Sequence, residues 1–245
     1  MPNQKFQAIL EYMNFVRSAG FYLIAVLSFI IGTAITIVLS WFSRDKEHIY
    51  LRSARIWAKF LAFVSGIPVK VEGLSNIPQN EPVIFVSNHQ GAMDILFLMA
   101  YLPVYFLFII KKELFKVPFF GWYLKKAGYL SVDRGAGEKA HKMFSQAENV
   151  LRSGENILIF PEGTRTLTGQ IQSFKRGSLL LAFKAKVKVV PIAIAGSFNI
   201  MPPKSIIYRI VPVTIRIGKP VSLEKYGSNY EKALEDIHDQ VKNML

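Results

Sequence analysis

Two polar residues five positions apart, His89 and Asp94, follow the apolar run at positions 82–86. A carboxylate that accepts a hydrogen bond from one imidazole nitrogen fixes the tautomer and leaves the other nitrogen as a general base. In one regular helix the two side chains would lie about 140° apart, on different faces. They can meet only if His89 stays in a turn and Asp94 enters the helix that follows. The spacing therefore indicates either a base with its orienting partner or a polar turn with a capping side chain.

A second segment rich in hydrogen-bond donors, FPEGTR at positions 160–165, follows another short apolar run. Pro161 ends the strand ladder, and Gly163 lets the backbone approach a ligand closely. Thr164 and Arg165 carry donors that suit a phosphate group. The segment is either a phosphate-binding loop at the end of a core strand or an ordinary polar loop.

Two more segments combine basic and apolar residues. Arg134, in SVDR (131–134), could clamp a phosphate through two hydrogen bonds or pair with the neighbouring Asp133 at the surface. The segment KKELFKVPFFGWYLKK (111–126) mixes aromatic residues with lysines, a pattern typical of a surface that meets lipid at headgroup level. The alternative is a core segment with solvated lysines.

The composition of the chain and the motifs that it lacks exclude several reaction types and kinds of site. The chain has no cysteine, which excludes disulfides and a cysteine nucleophile. It has no G-x-S-x-G elbow, Walker loop or G-x-G-x-x-G motif, and its four histidines lack metal-ligand spacing. Lys and Arg outnumber Asp and Glu, 30 against 17, which indicates an anionic partner. Because the basic residues lie among aromatic and aliphatic ones, the pattern favours anionic lipid or a phosphorylated substrate over nucleic acid.

The elements that would position these residues are predicted to form an α/β fold. Apolar runs predict strands at 69–73, 82–88, 156–160 and 189–196, with one or two more within 209–218; helical spacing predicts helices at 95–102, 138–152, 177–186 and in the C-terminal tail. This alternation implies a mixed, mostly parallel central sheet flanked by helices on both faces, preceded by an N-terminal membrane-associated helical segment. Chemistry gathers at the carboxyl ends of such strands, where His89 falls. We predict N-terminal membrane-anchoring helices at 1–60 and an α/β catalytic domain at 61–245.

The uncharged run at positions 18–43 is long enough to cross the hydrocarbon core of a bilayer. It predicts a single spanning helix or a hairpin bent near Gly32 that enters one leaflet, and a buried helix of a soluble protein is the third possibility. Basic residues are more frequent after the run, at Arg44, Lys46, Arg52, Arg55 and Lys59. The positive-inside rule therefore predicts a location at the inner, cytoplasmic face of the cell membrane, anchored by this segment.

Four blocks in this order resemble the glycerolipid acyltransferase family, specifically the bacterial 1-acyl-glycerol-3-phosphate (lysophosphatidic acid) acyltransferases. The blocks are NHQGAMD (88–94), YLSVDR (129–134), FPEGTR (160–165) and VPIAI (190–194). The ordered set is specific, although no single block is. The resemblance implies acyl transfer from acyl-CoA or acyl carrier protein to the sn-2 hydroxyl of lysophosphatidic acid, which gives phosphatidic acid. The acyl donor is a co-substrate, and the resemblance implies no cofactor and no metal.

Carried over by position, the resemblance assigns roles to individual residues. His89 would be the general base, Asp94 would orient it, and backbone N–H groups after His89 are candidates for stabilising the oxyanion. The residues that would bind the acceptor and its phosphate are Lys111, Arg134, Glu162, Gly163, Thr164 and Arg165. One departure is Gly91, where the family often has Ser.

Two alternatives remain at this stage. The first is an acyltransferase that acts on glycerol-3-phosphate or another lysophospholipid. The second is a non-catalytic protein that binds anionic membrane lipid, which would explain the charge and the apolar run but not all four blocks in order. Loss of turnover in His89→Ala, with lipid binding retained, separates an enzyme from the second alternative.

Overall fold

The computed structural model describes residues 4–132, 138–202 and 205–245. Its helices are α1 (Gln4–Phe42), α2 (Lys46–Ser65), α3 (Asp94–Tyr101), α4 (Phe120–Lys126), α5 (Glu138–Arg152), α6 (Leu180–Ala185) and α7 (Tyr230–Asn243). Its strands are β1 (Val69–Glu72), β2 (Val83–Ser87), β3 (Phe106–Lys111), β4 (Leu130–Val132), β5 (Asn156–Ile159), β6 (Lys188–Ala195) and β7 (Val213–Ile217). Strands and helices thus alternate through most of the chain after α2.

The strands form one seven-stranded sheet in the order β1-β7-β6-β2-β5-β3-β4. All neighbouring pairs are parallel except β6 and β7, which are antiparallel. This confirms the predicted mixed, mostly parallel sheet. The carboxyl ends of β2, β5, β3 and β4 lie side by side, so the segments that follow these strands meet at one edge.

Strand β2 lies at the centre of the fold, and all five of its residues are buried. Its side chains alternate between two cores because successive residues of a strand point to opposite faces. Val83 and Phe85 join the core that contains residues of α2 and α3, whereas Ile84 and Val86 join the core that contains residues of α5 and α7. Helices therefore cover both faces of the sheet, as predicted.

Strands β3 and β4 were not predicted from the sequence. The run at 106–110 is apolar without alternation, and a short apolar run does not by itself distinguish a strand from a buried helix. In the structure β3 pairs with β5 on one side and β4 on the other. These two segments are strands because they pair with segments that lie elsewhere in the sequence.

Helix α1 is one continuous helix that passes through Gly32 without a break. One face packs on the rest of the protein: the Arg17 guanidinium donates to the Tyr208 carbonyl at 3.2 Å, and the Thr36 and Ser53 hydroxyls are hydrogen-bonded. Within the described residues Ile9–Phe42 is the one segment long and apolar enough to cross a membrane. An 18-residue stretch of it has a mean hydropathy of 2.5, and 11 % of that stretch is buried. Its other face presents exposed apolar side chains, among them Leu23, Val26, Leu27, Ile30 and Ile31.

Helix α2 runs across position 60, where we predict the division into two units, and its buried residues belong to the same core as the sheet. Arg55 contacts the loop between α3 and β3 by donating to the carbonyls of Leu102 and Val104. The division at residue 60 stays a prediction.

His48, near the start of α2, joins that helix to the turn before β5. Its Nδ1 lies 2.7 Å from Asp45 Oδ2, and its Nε2 lies 2.7 Å from Glu155 Oε1. Burial on its own lowers the pKa of His48, but the hydrogen bond to Asp45 and the charge of Glu155 outweigh this effect, so the pKa is raised. The His48 side chain therefore links two segments that are 107 positions apart.

We expect this contact to make stability depend on pH. Because the folded pKa of His48 lies above its unfolded value of about 6.5, the contribution is fully present below that value and is lost as the pH rises through the folded pKa. His48→Gln should therefore lower the melting temperature at about pH 5.5 and change it less at about pH 8.5. Thermal unfolding in detergent measures both, with His238→Gln as the control because the carboxylate paired with His238 belongs to the exposed Asp239. An equal loss at both pH values would contradict the charged contact.

Candidate active site

The chain leaves β2 through Asn88, which is fully buried. The Asn88 side-chain amide donates to the Ile194 carbonyl at 2.9 Å and accepts from the Ile194 N–H at 2.7 Å. These two bonds bind the end of β2 to the neighbouring strand β6. They fix the backbone immediately before His89, and the sequence analysis did not assign Asn88 this role.

His89 and Asp94 meet in the geometry that a turn followed by a helix provides. His89 Nδ1 lies 2.8 Å from Asp94 Oδ2, and Asp94 is the first residue of α3. The Asp94 side chain is fully buried, whereas 15 % of the His89 side chain is exposed. Among the described residues the other ring nitrogen, Nε2, has no hydrogen-bond partner. The arrangement can therefore hold one tautomer and present Nε2 as a base.

The same Asp94 oxygen organises the backbone of the turn. Oδ2 also accepts from the N–H groups of Gln90, at 2.7 Å, and Gly91, at 2.8 Å. The His89 N–H donates to Glu162 Oε1 at 2.7 Å. Asp94 thus occupies the N–H groups of Gln90 and Gly91, two of the candidates for stabilising the oxyanion. The role of backbone N–H groups after His89 in stabilising the oxyanion stays a prediction.

Gly91 is required by close packing against the backbone of Ser197. A Cβ atom at position 91 would lie 2.8 Å from the Ser197 carbonyl oxygen, closer than van der Waals contact allows. The departure from the serine that the family often has here therefore has a local steric reason. A side chain at this position would have to displace either the turn or the segment at Ser197.

Phe160 fixes the plane of the imidazole and was missed in the sequence analysis. The Phe160 and His89 rings stack with centroids 4.1 Å apart and an angle of 17° between their planes. Phe108 stacks on Phe160 with a centroid distance of 6.1 Å. The only sequence signal was the position of Phe160, directly before Pro161 in the conspicuous loop.

Glu162 connects the two loops of the site. Besides the bond from the His89 N–H, its Oε2 accepts from the Gln172 N–H at 2.9 Å. Burial raises the pKa of Glu162, although the bonds from the His89 and Gln172 N–H groups lower it. The Thr166 N–H also donates to the His89 carbonyl, at 3.0 Å. Glu162 lies outside the lining of the cavity described below, and its predicted contact with substrate stays a prediction.

A cavity of about 1040 Å³ opens at this edge of the sheet. Its polar lining includes His89, Lys111, Gly163, Thr164, Arg165 and Lys175. Its apolar lining includes Ile95, Phe108, Ile110, Leu114, Val132, Met143, Phe144, Leu181 and Met201. The structure thus brings the predicted base together with four of the predicted substrate-binding residues. Arg134 lies outside the described residues, so its predicted role is not tested.

His89 thus lies at the carboxyl edge of an α/β sheet, beside a cavity that is lined with both cations and apolar side chains. This arrangement would suit base-assisted chemistry on an amphipathic anion. Comparison with known proteins gives the family. Residues 68–195 match the profile of the Acyltransferase family. The match covers more than half of the chain, which therefore belongs to this family.

Individual relatives agree with the family match. The chain is 30 % identical over 200 residues to a 1-acyl-sn-glycerol-3-phosphate acyltransferase of Saccharomyces cerevisiae, an alignment that covers 78 % of this chain and 66 % of the relative. It is 38 % identical over 142 residues to a protein of the same name from Pseudomonas aeruginosa, covering 56 % of this chain and 54 % of that relative. The chain thus spans about half to two thirds of these curated relatives.

A solved structure shares the fold along almost the whole chain. It is the 1-acyl-sn-glycerophosphate (LPA) acyltransferase PlsC from Thermotoga maritima, at a TM-score of 0.84 and 28 % identity. The match covers 95 % of this chain and 95 % of that protein.

Proposed function

We propose that this protein transfers a fatty acyl group from acyl-CoA or acyl carrier protein to the sn-2 hydroxyl of lysophosphatidic acid, giving phosphatidic acid. The observation that carries the proposal is the contact between His89 and buried Asp94 at the cavity. Cationic side chains in the lining suit the phosphate of the acceptor, and apolar ones suit the acyl chains. The names of the relatives support the same substrate.

The proposed reaction begins at Nε2 of His89, which removes the proton from the acceptor hydroxyl. The hydroxyl oxygen attacks the thioester carbonyl, and a tetrahedral oxyanion forms. Its collapse expels the thiolate and leaves the new ester. Asp94 holds the ring and stabilises the imidazolium that forms in the first step. The acyl group passes directly from donor to acceptor, which agrees with the lack of a cysteine or a serine elbow in the chain.

The substrate-binding roles follow from the cavity lining. Lys111, at the end of β3, and Arg165, after β5, carry the charges that we propose for the acceptor phosphate, together with Arg134. Gly163 and Thr164 also line the cavity and, in this proposal, position the glycerol phosphate. Glu162 acts on the substrate through the two loops that it joins.

Product formation by purified protein in detergent tests this function. Lysophosphatidic acid is supplied with a long-chain acyl-CoA, and mass spectrometry detects phosphatidic acid as the expected product. Parallel reactions replace the acceptor with glycerol-3-phosphate and the donor with acyl carrier protein. If glycerol-3-phosphate is acylated and lysophosphatidic acid is not, the proposed acceptor is wrong. Lipid binding without any product would indicate the non-catalytic alternative.

We further propose that α1 anchors the protein at the inner face of the cell membrane, lying along the bilayer. The contacts at Arg17 and Thr36 are 19 positions apart, about 28 Å at 1.5 Å per residue. A hydrocarbon core is about 30 Å thick. A helix standing across the bilayer would therefore carry α2 and the segment at Tyr208, on which α1 packs, into the hydrocarbon. The exposed apolar face of α1 enters one leaflet instead.

A second surface supports binding to lipid. Phe119 is 82 % exposed, with a φ of 59° that a bulky residue rarely adopts. Val117 and Trp122 are exposed beside it. Lysines 116, 125 and 126 in the same segment are exposed and suit anionic headgroups. We propose that residues 111–126 contact anionic phospholipids.

Changing the apolar face of α1 should release the protein from membranes. The variant carries Leu23→Glu, Leu27→Glu and Ile31→Glu, because these exposed residues share one helical face. We expect most of the variant to remain in the supernatant when anionic vesicles are sedimented, because three charges oppose insertion. The control carries Asn80→Glu, Ser228→Glu and Asn243→Glu, which make the same change in charge at exposed sites elsewhere. Equal binding of the two variants would show that α1 is not the anchor.

Cysteine labelling in membranes distinguishes the two orientations of α1. The chain contains no cysteine, so Gln7→Cys and Asn243→Cys each give a single labelling site. An impermeant maleimide should label both from the same side of the membrane. Labelling from opposite sides would show that α1 spans the bilayer.

A further inference from the structure

Lys175 is a cation of the cavity to which the sequence analysis assigned no role. Its backbone is fixed, because the Lys175 N–H donates to the Pro161 carbonyl at 2.9 Å and its own carbonyl accepts from the Ser178 N–H at 2.9 Å. These bonds hold the residue beside the 160–165 loop. Phe174, directly before it, is buried and packs against the His238 ring.

The side chain of Lys175 lies across Gly163. A Cβ atom at position 163 would be 2.6 Å from Nζ, 2.9 Å from Cε and 3.2 Å from Cδ of Lys175. Gly163 also has a φ of 73°, which favours glycine. The missing side chain at position 163 thus leaves the space through which the ammonium group reaches the cavity.

No carboxylate among the described residues forms an ion pair with the Lys175 ammonium. Glu162, next to Gly163 in sequence, is buried and uses both of its oxygens for the N–H groups of His89 and Gln172. The neighbouring Arg176 shows the opposite arrangement, because its guanidinium lies 2.7 Å from Glu231 Oε1. Within residues 4–132, 138–202 and 205–245, Lys175 therefore brings positive charge to the cavity without an ion-paired carboxylate.

We propose that Lys175 binds the phosphate of the acceptor at the Gly163 loop, as an additional substrate-binding residue. This inference rests on the proposed function, in which that loop positions the glycerol phosphate. An ammonium group supplies three donors and a full charge, which suits the non-bridging oxygens of a phosphate monoester. Lys175 thus reaches the phosphate from the segment before α6, whereas Lys111 reaches it from the end of β3.

Steady-state kinetics tests the proposal with Lys175→Gln, Lys175→Arg and the matched control Arg176→Gln. The control removes the same charge one position away, on a side chain that faces Glu231. We expect Lys175→Gln to raise the apparent KM for lysophosphatidic acid about 10- to 100-fold, as for loss of a charged hydrogen bond. The KM for the acyl donor should stay unchanged, and Lys175→Arg should recover part of the loss. An effect on the donor alone, or an effect equal to that of the control, would overturn the proposal.

A binding measurement that does not need turnover completes the test. The wild-type protein is treated with an amine-reactive ester, and mass spectrometry follows labelling at Lys175 and at the exposed Lys186. Lysophosphatidic acid should protect Lys175 and leave Lys186 unprotected, whereas the uncharged 1-monoacylglycerol should protect neither. Equal labelling of Lys175 with and without lysophosphatidic acid would refute the contact. If the wild type makes no phosphatidic acid, the proposed function fails. The protection of Lys175 from labelling by lysophosphatidic acid then tests by itself whether Lys175 binds the phosphate.

Discussion

His89→Ala should lower kcat/KM for acyl transfer to lysophosphatidic acid by about 10²–10⁴, the usual contribution of a general base. The imidazole is the base that we propose to take the hydroxyl proton, and Asp94 and Phe160 hold it at the cavity. Alanine removes the proton acceptor and leaves the bonds of the His89 backbone to Glu162 and Thr166 in place. The measurement is the initial rate of phosphatidic acid formation, with folding checked by thermal unfolding.

His238→Ala is the matched control for this variant. His238 lies on α7, with its Nδ1 3.2 Å from Asp239 Oδ1, and thus repeats the His–Asp contact outside the cavity lining. We expect it to keep near-normal turnover. Near-normal turnover in His89→Ala as well would refute the assignment of the base. Loss of turnover together with loss of the cooperative unfolding transition would mean that the variant must be replaced by His89→Gln.

Asp94 should give a graded result that separates its charge from its hydrogen bonds. Its Oδ2 accepts from the His89 ring and from the Gln90 and Gly91 N–H groups, whereas its buried Oδ1 has no partner among the described residues. Asparagine can place its oxygen at the Oδ2 position and its amide at the unpartnered position. Asp94→Asn should therefore keep the fold and lower kcat about 10- to 100-fold, because a charge-assisted bond becomes neutral.

Asp94→Ala removes all three acceptor contacts. It should therefore lower both turnover and stability more than Asp94→Asn does. Turnover should fall by about 10²–10⁴, because the imidazole loses its orientation. The Gln90 and Gly91 N–H groups are left buried and unsatisfied, at a cost of about 1–3 kcal/mol each. The measurements are kcat and the free energy of unfolding, with Asp239→Asn and Asp239→Ala as controls at the exposed pair. Equal kcat in the two Asp94 variants would mean that charge, rather than orientation, accounts for the whole role of Asp94.

The features that could be predicted from the sequence depend on patterns among neighbouring residues. The strands at 69–73, 82–88, 156–160 and 189–196 are visible in short apolar runs, and the helix at 138–152 in its spacing, because both periodicities are properties of neighbouring residues. The same holds for the contact between His89 and Asp94, since a turn and the first residue of a helix set its geometry. Strands β3 and β4 are different, because their pairing partners lie in other parts of the chain.

Residues that are neighbours in the sequence are enough to predict the α/β class, the loops at 88–94 and 160–165 and the pairing of His89 with Asp94. Contacts between distant segments decide which polar groups of these loops remain available for a substrate. The Glu162 carboxylate accepts from the His89 N–H, 73 positions away, and the Asp94 carboxylate accepts from the N–H groups of Gln90 and Gly91. Lys175 reaches the cavity because its backbone is bound to Pro161 and position 163 has no side chain. The physical reason is that a buried polar group must find a partner, and in a folded chain that partner is often distant in sequence.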